Sequence, residues 1–367
     1  MSESVKRICH ITTVHQRYDV RIFHKECASL SLEYNVNLIV ADGRGDEKIN
    51  NISIYDVWSG KSSRIRRMIK TTRKAYKKAL DLECEVFHFH DPEFLIYGLK
   101  LQRKGKKVIY DVHEDVPKQI LSKGYISPFF RKILSFIFSG IEKYVSSRLM
   151  AIITVTPTIN ARFSKINKKS VNINNYPVIE GGKINPYKNR NGICYIGSIS
   201  PIRGVREIIQ SLGSVNCILH LAGSFSSDLF KEELMAHKNW SKVKYYGLMD
   251  SKMALEITKN TLFGFVTFLP EPNHLDAQPN KMFEYMAAAI PVIASNFPLW
   301  KEIIEGNNCG ICVNPLDPSE ISNAIELLVD NPDIAETMGK NGYRAVVEKY
   351  NWEFERKKLL DLYFSLF

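Results

Sequence analysis

The stretch from Pro279 to Ser295 reads PNKMFEYMAAAIPVIAS, and it favours a helix that leads directly into a strand. Residues 280–289 are mostly good helix formers, whereas residues 291–295 form a short apolar run with β-branched side chains. A helix followed at once by a buried strand is typical of a parallel sheet that is covered by helices.

The same alternation extends outward from this stretch in both directions. Strands are predicted at residues 7–13, 36–41, 85–90, 107–112, 192–196, 216–222, 243–246, 262–268 and 291–295. Helices are predicted at residues 19–34, 94–103, 203–212 and 280–289. Between residues 165 and 192 the pattern weakens and Asn, Pro and Gly cluster, which is typical of a linker. The sequence therefore predicts the α/β class, with two parallel-sheet domains that meet near residue 180.

Length and composition agree with two soluble domains. The chain has 367 residues, of which 45% are hydrophobic and 24% are charged, so disorder, collagen and a multi-span membrane protein are excluded. The seven cysteines are odd in number and scattered, which favours a reducing cytosol over a disulfide framework. Residues 1–30 lack the pattern of a secretory signal, and the apolar stretch 129–155 is interrupted by charges.

The positive charge lies entirely in the first half of the chain. The net charge is +11, and residues 1–180 alone carry 31 Lys/Arg against 18 Asp/Glu. Such a balance indicates an anionic partner: nucleic acid, an anionic membrane or a phosphorylated substrate. Residues 61–78 resemble a basic amphipathic helix, and residues 125–138 place phenylalanines beside Arg131 and Lys132. Both segments suit a membrane surface, although a solvated face and a buried helix remain open alternatives.

Ligands of open parallel sheets bind beyond the carboxyl ends of the strands, and with two domains this predicts a site in a cleft. The helix that begins at Asn280 carries Lys281 in its first turn, which suits a diphosphate. Asp276 and Glu284 flank this turn and could accept sugar or ribose hydroxyls. A turn-forming Asp276 and a solvated Glu284 are the alternative.

A second strand end reads Gly197-Ser198, and Arg203 opens the helix after it. Glycine permits close backbone approach and arginine can hold phosphate oxygens bidentately, although a plain strand-to-helix turn fits as well. Neither a Gly-x-Gly-x-x-Gly fingerprint nor a P-loop motif is present, which argues against a dinucleotide enzyme, an ATPase and a GTPase.

In the first half, polar residues cluster where strands are predicted to end. His88 and His90 share one face of a strand and could chelate a metal, but the sequence shows no third ligand at metalloenzyme spacing. We therefore predict no metal site and assign His88 to the sheet. Asp91 and His113 lie just beyond their strands and are the better candidates for ligand contact. Cys309 and Cys312 lack a partner pair for zinc and are expected to be buried.

Taken together, these motifs resemble the family 4 glycosyltransferases of the GT-B fold, in particular bacterial members that build O-antigen and capsule repeat units. The most specific segment is 279–295 with Glu302 and Gly310, supported by 197–204, 19–29 and 88–114. The resemblance implies two Rossmann-like domains facing a central cleft. The expected organisation is residues 1–178 for the acceptor, 179–349 for the nucleotide sugar, and a helix at 350–367 that returns to the first domain.

The resemblance also implies retaining transfer from a nucleotide-diphosphate sugar, without a metal or other cofactor. A UDP-sugar is favoured over a GDP-sugar, and a hexose or N-acetylhexosamine is the expected group. The acceptor would be a polyprenyl-diphosphate-linked saccharide at the inner face of the cytoplasmic membrane, with no nucleic acid involved. The implied catalytic residues are His113, Arg203, Asp276, Lys281 and Glu284. Those implied for nucleotide-sugar binding are Gly197, Ser198, Arg203, Gly223, Tyr246, Gly247, Asn280, Lys281 and Glu284. Those implied for the acceptor side are His15, Asp19, Arg21, His24, Asp91 and His113.

Three positions depart from the family pattern. Asp276 stands where the family has glutamate, and Ser198 stands where many members have a second arginine for the diphosphate. Residues 15–21 replace the family's Gly-Gly loop. Lys281 is our candidate to replace the missing arginine.

Three other functions fit parts of the sequence. A nucleotide-sugar 2-epimerase would share the fold and the donor but would need no acceptor. A nucleic-acid-binding protein would explain the basic charge, but no helix-turn-helix, zinc-finger or RNA-binding aromatic signature is present. A non-catalytic subunit would not need the intact set of Arg203, Asp276, Lys281 and Glu284.

Overall fold

A computed structural model of the chain describes residues 5–60, 64–124, 126–179, 184–213 and 215–367, with the side chains of 64–67 excepted. Residues 61–63 of the predicted basic helix and Tyr125 of the aromatic segment lie outside this set. Contacts between residues divide the chain into two compact units, Met1–Asn175 with Trp352–Phe367 and Tyr176–Asn351. The boundaries predicted from the sequence, after residues 178 and 349, lie close to these.

The described residues alternate between strands and helices along most of the chain. The strands are β1 Arg7–Ile11, β2 Asn35–Val40, β3 Glu47–Ile49, β4 Ile52–Asp56, β5 Val86–Phe89, β6 Lys107–Val112, β7 Ala151–Thr154, β8 Ser170–Asn172, β9 Ile193–Ile196, β10 Leu219–Ala222, β11 Val243–Tyr245, β12 Gly264–Val266, β13 Val292–Ser295 and β14 Gly310–Val313. The α-helices are α1 Ala28–Leu30, α2 Arg64–Asp81, α3 Leu95–Arg103, α4 Val116–Leu121, α5 Pro128–Ser146, α6 Pro157–Phe163, α7 Val205–Ser211, α8 Asp228–Met235, α9 Ser251–Lys259, α10 Asn280–Ala287, α11 Pro298–Ile304, α12 Pro318–Asp330, α13 Pro332–Glu348 and α14 Trp352–Phe364. A π-helix, Val20–Cys27, precedes α1, and 3-10 turns lie at Pro92–Phe94, Tyr187–Asn189, Pro201–Arg203 and Lys238–Lys242.

The first unit is built on a sheet with the strand order β3-β4-β2-β1-β5-β6-β7-β8. Its strand pairs are parallel except for the hairpin of β3 and β4. The chain order reverses between β1 and β5, so the loops after these two strands diverge and leave a crevice for ligand groups.

The second unit has the order β11-β10-β9-β12-β13-β14 with every pair parallel, which is the strand order of a dinucleotide-binding fold. The order reverses between β9 and β12, so the loop after β9, which begins at Gly197, lies at the switch point. The α/β class with two parallel-sheet domains is therefore confirmed.

Helix α14 belongs to the first unit although it lies at the far end of the sequence. Its Trp352, Leu359 and Tyr363 are buried in one apolar cluster with residues of β1, β2 and β4. Trp352 also donates its indole N–H to the hydroxyl of Ser29 at 3.0 Å. These contacts make the helix part of the first core.

The predicted helix at 19–34 begins as a π-helix. The side chain of Asp19 accepts hydrogen bonds from the backbone N–H groups of Arg21 and Ile22, and the N–H of His24 reaches the carbonyl of Asp19 at 3.2 Å. In a π-helix, residues five apart share one face. Arg21 and Glu26 are therefore brought together in the interior, with 3.0 Å between Arg21 Nε and Glu26 Oε1.

Helix α5 buries mainly polar residues and exposes apolar ones, which is the reverse of an ordinary surface helix. Its buried residues are Ser135, Glu142, Val145 and Ser146. Its outer face exposes Phe129 by 69%, Phe130 by 60% and Phe136 by 82%. Phe138, the remaining phenylalanine of the predicted patch, packs partly against the core. Among the described helices, none combines the length and apolar character needed to cross a bilayer.

Candidate active site

Two glycines form the base of a pocket in the second unit, at the carboxyl ends of β9 and β10. Gly197 and Gly223 have φ angles of +135° and +138°, a conformation that residues with a Cβ avoid. A Cβ on Gly223 would clash with the carbonyl oxygen of Gly197, so the two backbones touch. Ser198, Leu248 and Asp250 line the pocket beside them, and its volume is about 190 Å³.

Two cationic side chains of the second unit, Arg203 and Lys281, lie against the same Phe268 ring. The guanidinium of Arg203 lies 4.0 Å from the centre of the Phe268 ring. The Nζ of Lys281 lies 3.8 Å from the centre of the Tyr195 ring and 5.5 Å from that of Phe268. A Cβ on Gly197 would lie 2.8 Å from Lys281 Nζ, so a larger residue there would displace the ammonium group.

The proximity of the two cations changes the protonation of the lysine. Burial, followed by the charge of Arg203, lowers the pKa of Lys281 to about 7, whereas Glu284 acts in the opposite direction. An anion placed between the cations would remove this penalty and restore the charge of Lys281.

Three further predicted residues of the second unit lie on helix α10 or in the loop before it. Asn280 is the exposed first residue of α10, Glu284 is exposed on the same helix, and Asp276 lies half-buried in the preceding loop. The Trp300 indole holds this loop by donating to the carbonyl of Ala277 at 2.7 Å.

The hydroxyl of Tyr246 lies 2.7 Å from Nδ1 of His220. The carbonyl of Gly247 accepts the N–H of Gly223 at 2.8 Å. The described residues that line the pocket include Gly197, Ser198 and Gly223 but not Tyr246, Gly247, Arg203, Lys281 or Glu284.

In the first unit, Asp91 lies at the switch point between β1 and β5, where it binds the loop that follows β1. Its carboxylate accepts a hydrogen bond from the backbone N–H of Thr13 and others from the hydroxyls of Thr12 and Thr13, both at 3.2 Å. Nε2 of His15 lies 3.8 Å from Asp91, and its Nδ1 bonds to Asp19 at 3.2 Å. Burial favours the neutral ring, but Asp19 and the nearby carboxylates outweigh it and raise the pKa of His15.

His113 is oriented by a buried carboxylate. Its Nε2 lies 2.8 Å from Asp111 Oδ2, and its ring stands 5.0 Å from that of His15. Asp111 also receives Nε and Nη2 of Arg21 at 2.9 Å and 3.0 Å. Burial alone would raise the pKa of Asp111, but Arg21 and His113 hold that pKa well below its ordinary value.

The structure corrects the prediction for Arg21. We expected this residue on the acceptor side, but it is only 3% exposed and its guanidinium is engaged by Asp111, Glu26 and the carbonyl of Ile173. It supports His113 through the carboxylate of Asp111. His24 lies exposed on the π-helix, with its ring packed edge-on against Phe23, apart from the His15–Asp91–His113 group.

Two family models match the chain in succession. The model described as Glycosyltransferase Family 4 matches residues 15–173, and that described as Glycosyl transferases group 1 matches residues 180–345. The chain belongs to the family 4 glycosyltransferases. This membership confirms the resemblance seen in the sequence and makes the protein an enzyme of glycosyl transfer.

Solved structures of glycosyltransferases share the fold over the whole chain. The sucrose-phosphate synthase of Thermosynechococcus elongatus is 18% identical with a TM-score of 0.79, and the alignment covers 98% of this chain and 99% of that one. HepE of Anabaena, solved in complex with UDP and glucose, is 14% identical with a TM-score of 0.74, over 98% of this chain and 100% of that one. This glycosyltransferase therefore has the GT-B architecture.

Curated relatives match over shorter stretches. The capsular polysaccharide biosynthesis glycosyltransferase CapM of Staphylococcus aureus is 24% identical over 47% of this chain and 45% of its own length. Across the curated relatives, the alignments cover 40% to 67% of those proteins.

Replacing Asp111 tests the buried network of this glycosyltransferase. Asp111→Asn keeps the size of the side chain but removes the carboxylate that accepts two N–H groups of the buried Arg21, so we expect a loss of about 3 kcal/mol in the free energy of unfolding. Because the pKa of Asp111 is depressed, the advantage of the wild type exists above the ordinary carboxyl pKa and shrinks as the pH falls below it. Urea denaturation at pH 7 and at about pH 3, below the ordinary carboxyl pKa, measures both effects.

The exposed Asp81 at the end of α2 supplies the control, because Asp81→Asn should change stability by less than about 0.5 kcal/mol. Equal stability of Asp111→Asn and the wild type at pH 7 would contradict the proposed contribution of Asp111 to the free energy of unfolding.

Proposed function

We propose that the protein transfers a sugar, with retention of configuration and without a metal at the donor, from a nucleotide-diphosphate sugar to a lipid-linked saccharide. A UDP-sugar is the favoured donor and a GDP-sugar the second choice. The observation that carries the proposal is the pair of cations, Arg203 and Lys281, which lie against the same Phe268 ring, with Lys281 also beside Gly197. Two converging cations at a switch point suit a diphosphate.

The same residues account for the chemical step. As the bond between sugar and diphosphate breaks, negative charge develops on the leaving nucleoside diphosphate. Arg203 and Lys281 would stabilise that charge together with the N–H groups at the start of α10. Glu284 and Asp276 would accept hydroxyls of the ribose and of the donor sugar. No enzymic nucleophile is assigned.

Residues of the first unit would bind the acceptor and the reacting sugar. His15, Asp91 and His113 lie together at the end of the switch-point strands, and Asp111 fixes the ring of His113. His113 would face the reacting sugar, with a neighbouring carboxylate defining which ring nitrogen carries a proton.

The named relatives support the choice of substrates. HepE of Anabaena has been solved with UDP, with UDP and glucose, and with UDP-glucose. CapM of Staphylococcus aureus carries a name that assigns it to capsular polysaccharide biosynthesis. We therefore favour UDP as the carrier, a hexose or N-acetylhexosamine as the transferred group, and a role in bacterial surface polysaccharide synthesis.

Helix α5 supports a membrane-bound acceptor and a peripheral location at the cytoplasmic face. Its apolar outer face carries the exposed Lys132 and Lys143, whereas the half-buried Arg131 donates to the carbonyl of Leu121 at 2.8 Å. The one acidic residue of the helix, Glu142, is buried against Arg162 at 2.7 Å. An exposed apolar face with cations and no exposed acid suits an anionic bilayer, where aromatic side chains enter the headgroup region. Such docking would bring the enzyme to a lipid-linked substrate.

A thermal-shift panel of UDP, GDP, ADP and CDP, with and without magnesium, tests the donor site. We expect one diphosphate, UDP by preference, to stabilise the wild type without magnesium. Arg203→Ala and Glu284→Ala should remove this shift and lower the transfer rate about 100-fold or more without unfolding the protein. Arg206→Ala, on the neighbouring helix α7, is the matched control and should behave as the wild type.

No shift with any diphosphate, or wild-type transfer by Arg203→Ala, would contradict the assignment. Epimerised nucleotide sugar formed in the absence of acceptor would favour the 2-epimerase instead.

The protonation of Lys281 predicts a pH dependence of diphosphate binding. The free lysine has a pKa of about 7, and a bound diphosphate favours its charged form, so binding takes up a proton above pH 7. The affinity for UDP should therefore fall between pH 7 and pH 9, by at most about tenfold per pH unit. Titration calorimetry measures it. Lys281→Met should bind weakly with a flat profile, and an unchanged slope in that variant would refute the role of Lys281.

Vesicle binding tests the outer face of α5. The wild type should bind vesicles of anionic lipid, and binding should weaken as salt screens the cations. Phe130→Ser combined with Phe136→Ser should reduce binding about tenfold or more, because each buried CH₂ equivalent contributes about 0.8 kcal/mol. Leu229→Ser, at an exposed position of the second unit, is the control. Equal binding to neutral and anionic vesicles would contradict the proposal.

A further inference from the structure

Four metal-ligating side chains converge inside the first unit, whereas the donor pocket belongs to the second unit. They are His10 on β1, Glu26 on the π-helix, and His88 and the following His90 at β5. All four are buried, and one ligand atom from each lies within 4.8 Å of the others. The sequence predicted no metal site because His10 and Glu26 lie far from His88 along the chain.

The separations of the ligand atoms suit a small tetrahedral site. His10 Nδ1 and His90 Nε2 are 3.1 Å apart, and each lies 3.9 Å from Glu26 Oε2. Tetrahedral zinc with ligands at 2.0–2.1 Å places neighbouring donor atoms about 3.3 Å apart. The observed distances bracket this value.

In each of the three histidines, the ring nitrogen that faces away from the cluster already has a polar partner. The hydroxyl of Tyr363 lies 3.2 Å from His10 Nε2 and 2.9 Å from His88 Nδ1. His90 Nδ1 lies 3.2 Å from Asp111 Oδ2. Metal-bound histidines nearly always have such a partner on the second nitrogen, which fixes the ring and its tautomer.

Within the described part of the chain, two of the inward atoms, His10 Nδ1 and His90 Nε2, lie within hydrogen-bonding distance of each other. The other inward atoms, His88 Nε2 and both carboxylate oxygens of Glu26, have no hydrogen bond there. Glu26 Oε1 does form an ion pair with Arg21 Nε at 3.0 Å, but the N–H of that nitrogen is directed to Asp111, so Glu26 accepts no hydrogen bond from it. Buried polar atoms without a partner cost about 1–3 kcal/mol each, so this cluster calls for a further ligand.

The protonation of the histidines agrees with this conclusion. Burial lowers the pKa of His10 and of His88 well below the ordinary value, and it lowers the pKa of His90 to about 4. All three rings are therefore neutral at physiological pH, which is the form that binds metals. Burial, with Asp111 next, raises the pKa of Glu26, and a divalent cation would instead favour its carboxylate.

We propose that His10, Glu26, His88 and His90 bind one structural divalent cation of the zinc class. Three imidazoles and one carboxylate in tetrahedral spacing suit zinc better than magnesium or calcium, which prefer oxygen ligands. A neighbouring group, His90 with Asp111 and His113, is less suitable because Arg21 and His113 already engage the oxygens of Asp111. The site stiffens β1, β5 and the support of His113, and leaves the donor pocket free of metal.

Metal analysis of the wild type is the first experiment. The full chain, produced without a histidine tag and dialysed, should contain about one zinc per chain by mass spectrometry. Replacing zinc with cobalt should give the intense visible absorption of a tetrahedral complex. Absence of bound zinc, even after refolding in zinc, or a weak octahedral cobalt spectrum would overturn the proposal.

Variants then assign the ligands. Tyr363→Phe removes only the hydroxyl behind His10 and His88, and it should lower the affinity for zinc about 10- to 100-fold. His88→Gln and Glu26→Gln should lose the zinc, whereas His220→Gln in the second unit should retain it. Full zinc retention in His88→Gln and unchanged affinity in Tyr363→Phe would overturn the assignment. Zinc content is measured without nucleotide, so its outcome is independent of the proposed glycosyl transfer.

Discussion

The carboxylate of Asp111 organises the polar interior of the first unit. It neutralises the buried guanidinium of Arg21 and holds the rings of His90 and His113. An ion pair in a dry core is stable only when its geometry is good and its remaining donors are satisfied. Arg21 meets that condition because the π-helix directs its guanidinium to Asp111 and because the backbone carbonyl of Ile173 accepts a further hydrogen bond from it. The orientation of His113 therefore depends on a helix distortion that begins at Asp19.

In the second unit, packing of backbones has the corresponding role. Gly197 and Gly223 allow two loops to touch at the ends of β9 and β10, and the space left beside them accommodates the ammonium group of Lys281. Aromatic faces of Tyr195 and Phe268 replace the water that a cation would otherwise have. The two units thus treat charge differently: the first neutralises it internally, whereas the second holds two cations ready for an anionic ligand.

Local patterns in the sequence predicted the class and much of the sheet. The strand at 107–112 is observed with the predicted bounds, because its apolar run and flanking residues are sufficient to define it. The pattern could not show the role of Arg21, whose partner Asp111 is 90 residues away, or that of Tyr363, which lies 275 residues from His88. The exposed face of α5 was equally ambiguous, since a helical repeat of apolar residues does not tell which side faces the core. In α5, Glu142 and Ser135 take the inner side.

The place of α14 in the first core has a consequence for biosynthesis. A ribosome makes residues 7–173, which supply the sheet of the first unit, long before it makes Trp352, Leu359 and Tyr363. The second unit, Tyr176–Asn351, is contiguous in sequence and can complete its core as soon as it emerges. The half of the enzyme that is synthesised first is therefore the last to be finished. Until then its apolar surface near β1 and β2 stays open to chaperones or to other unfinished chains.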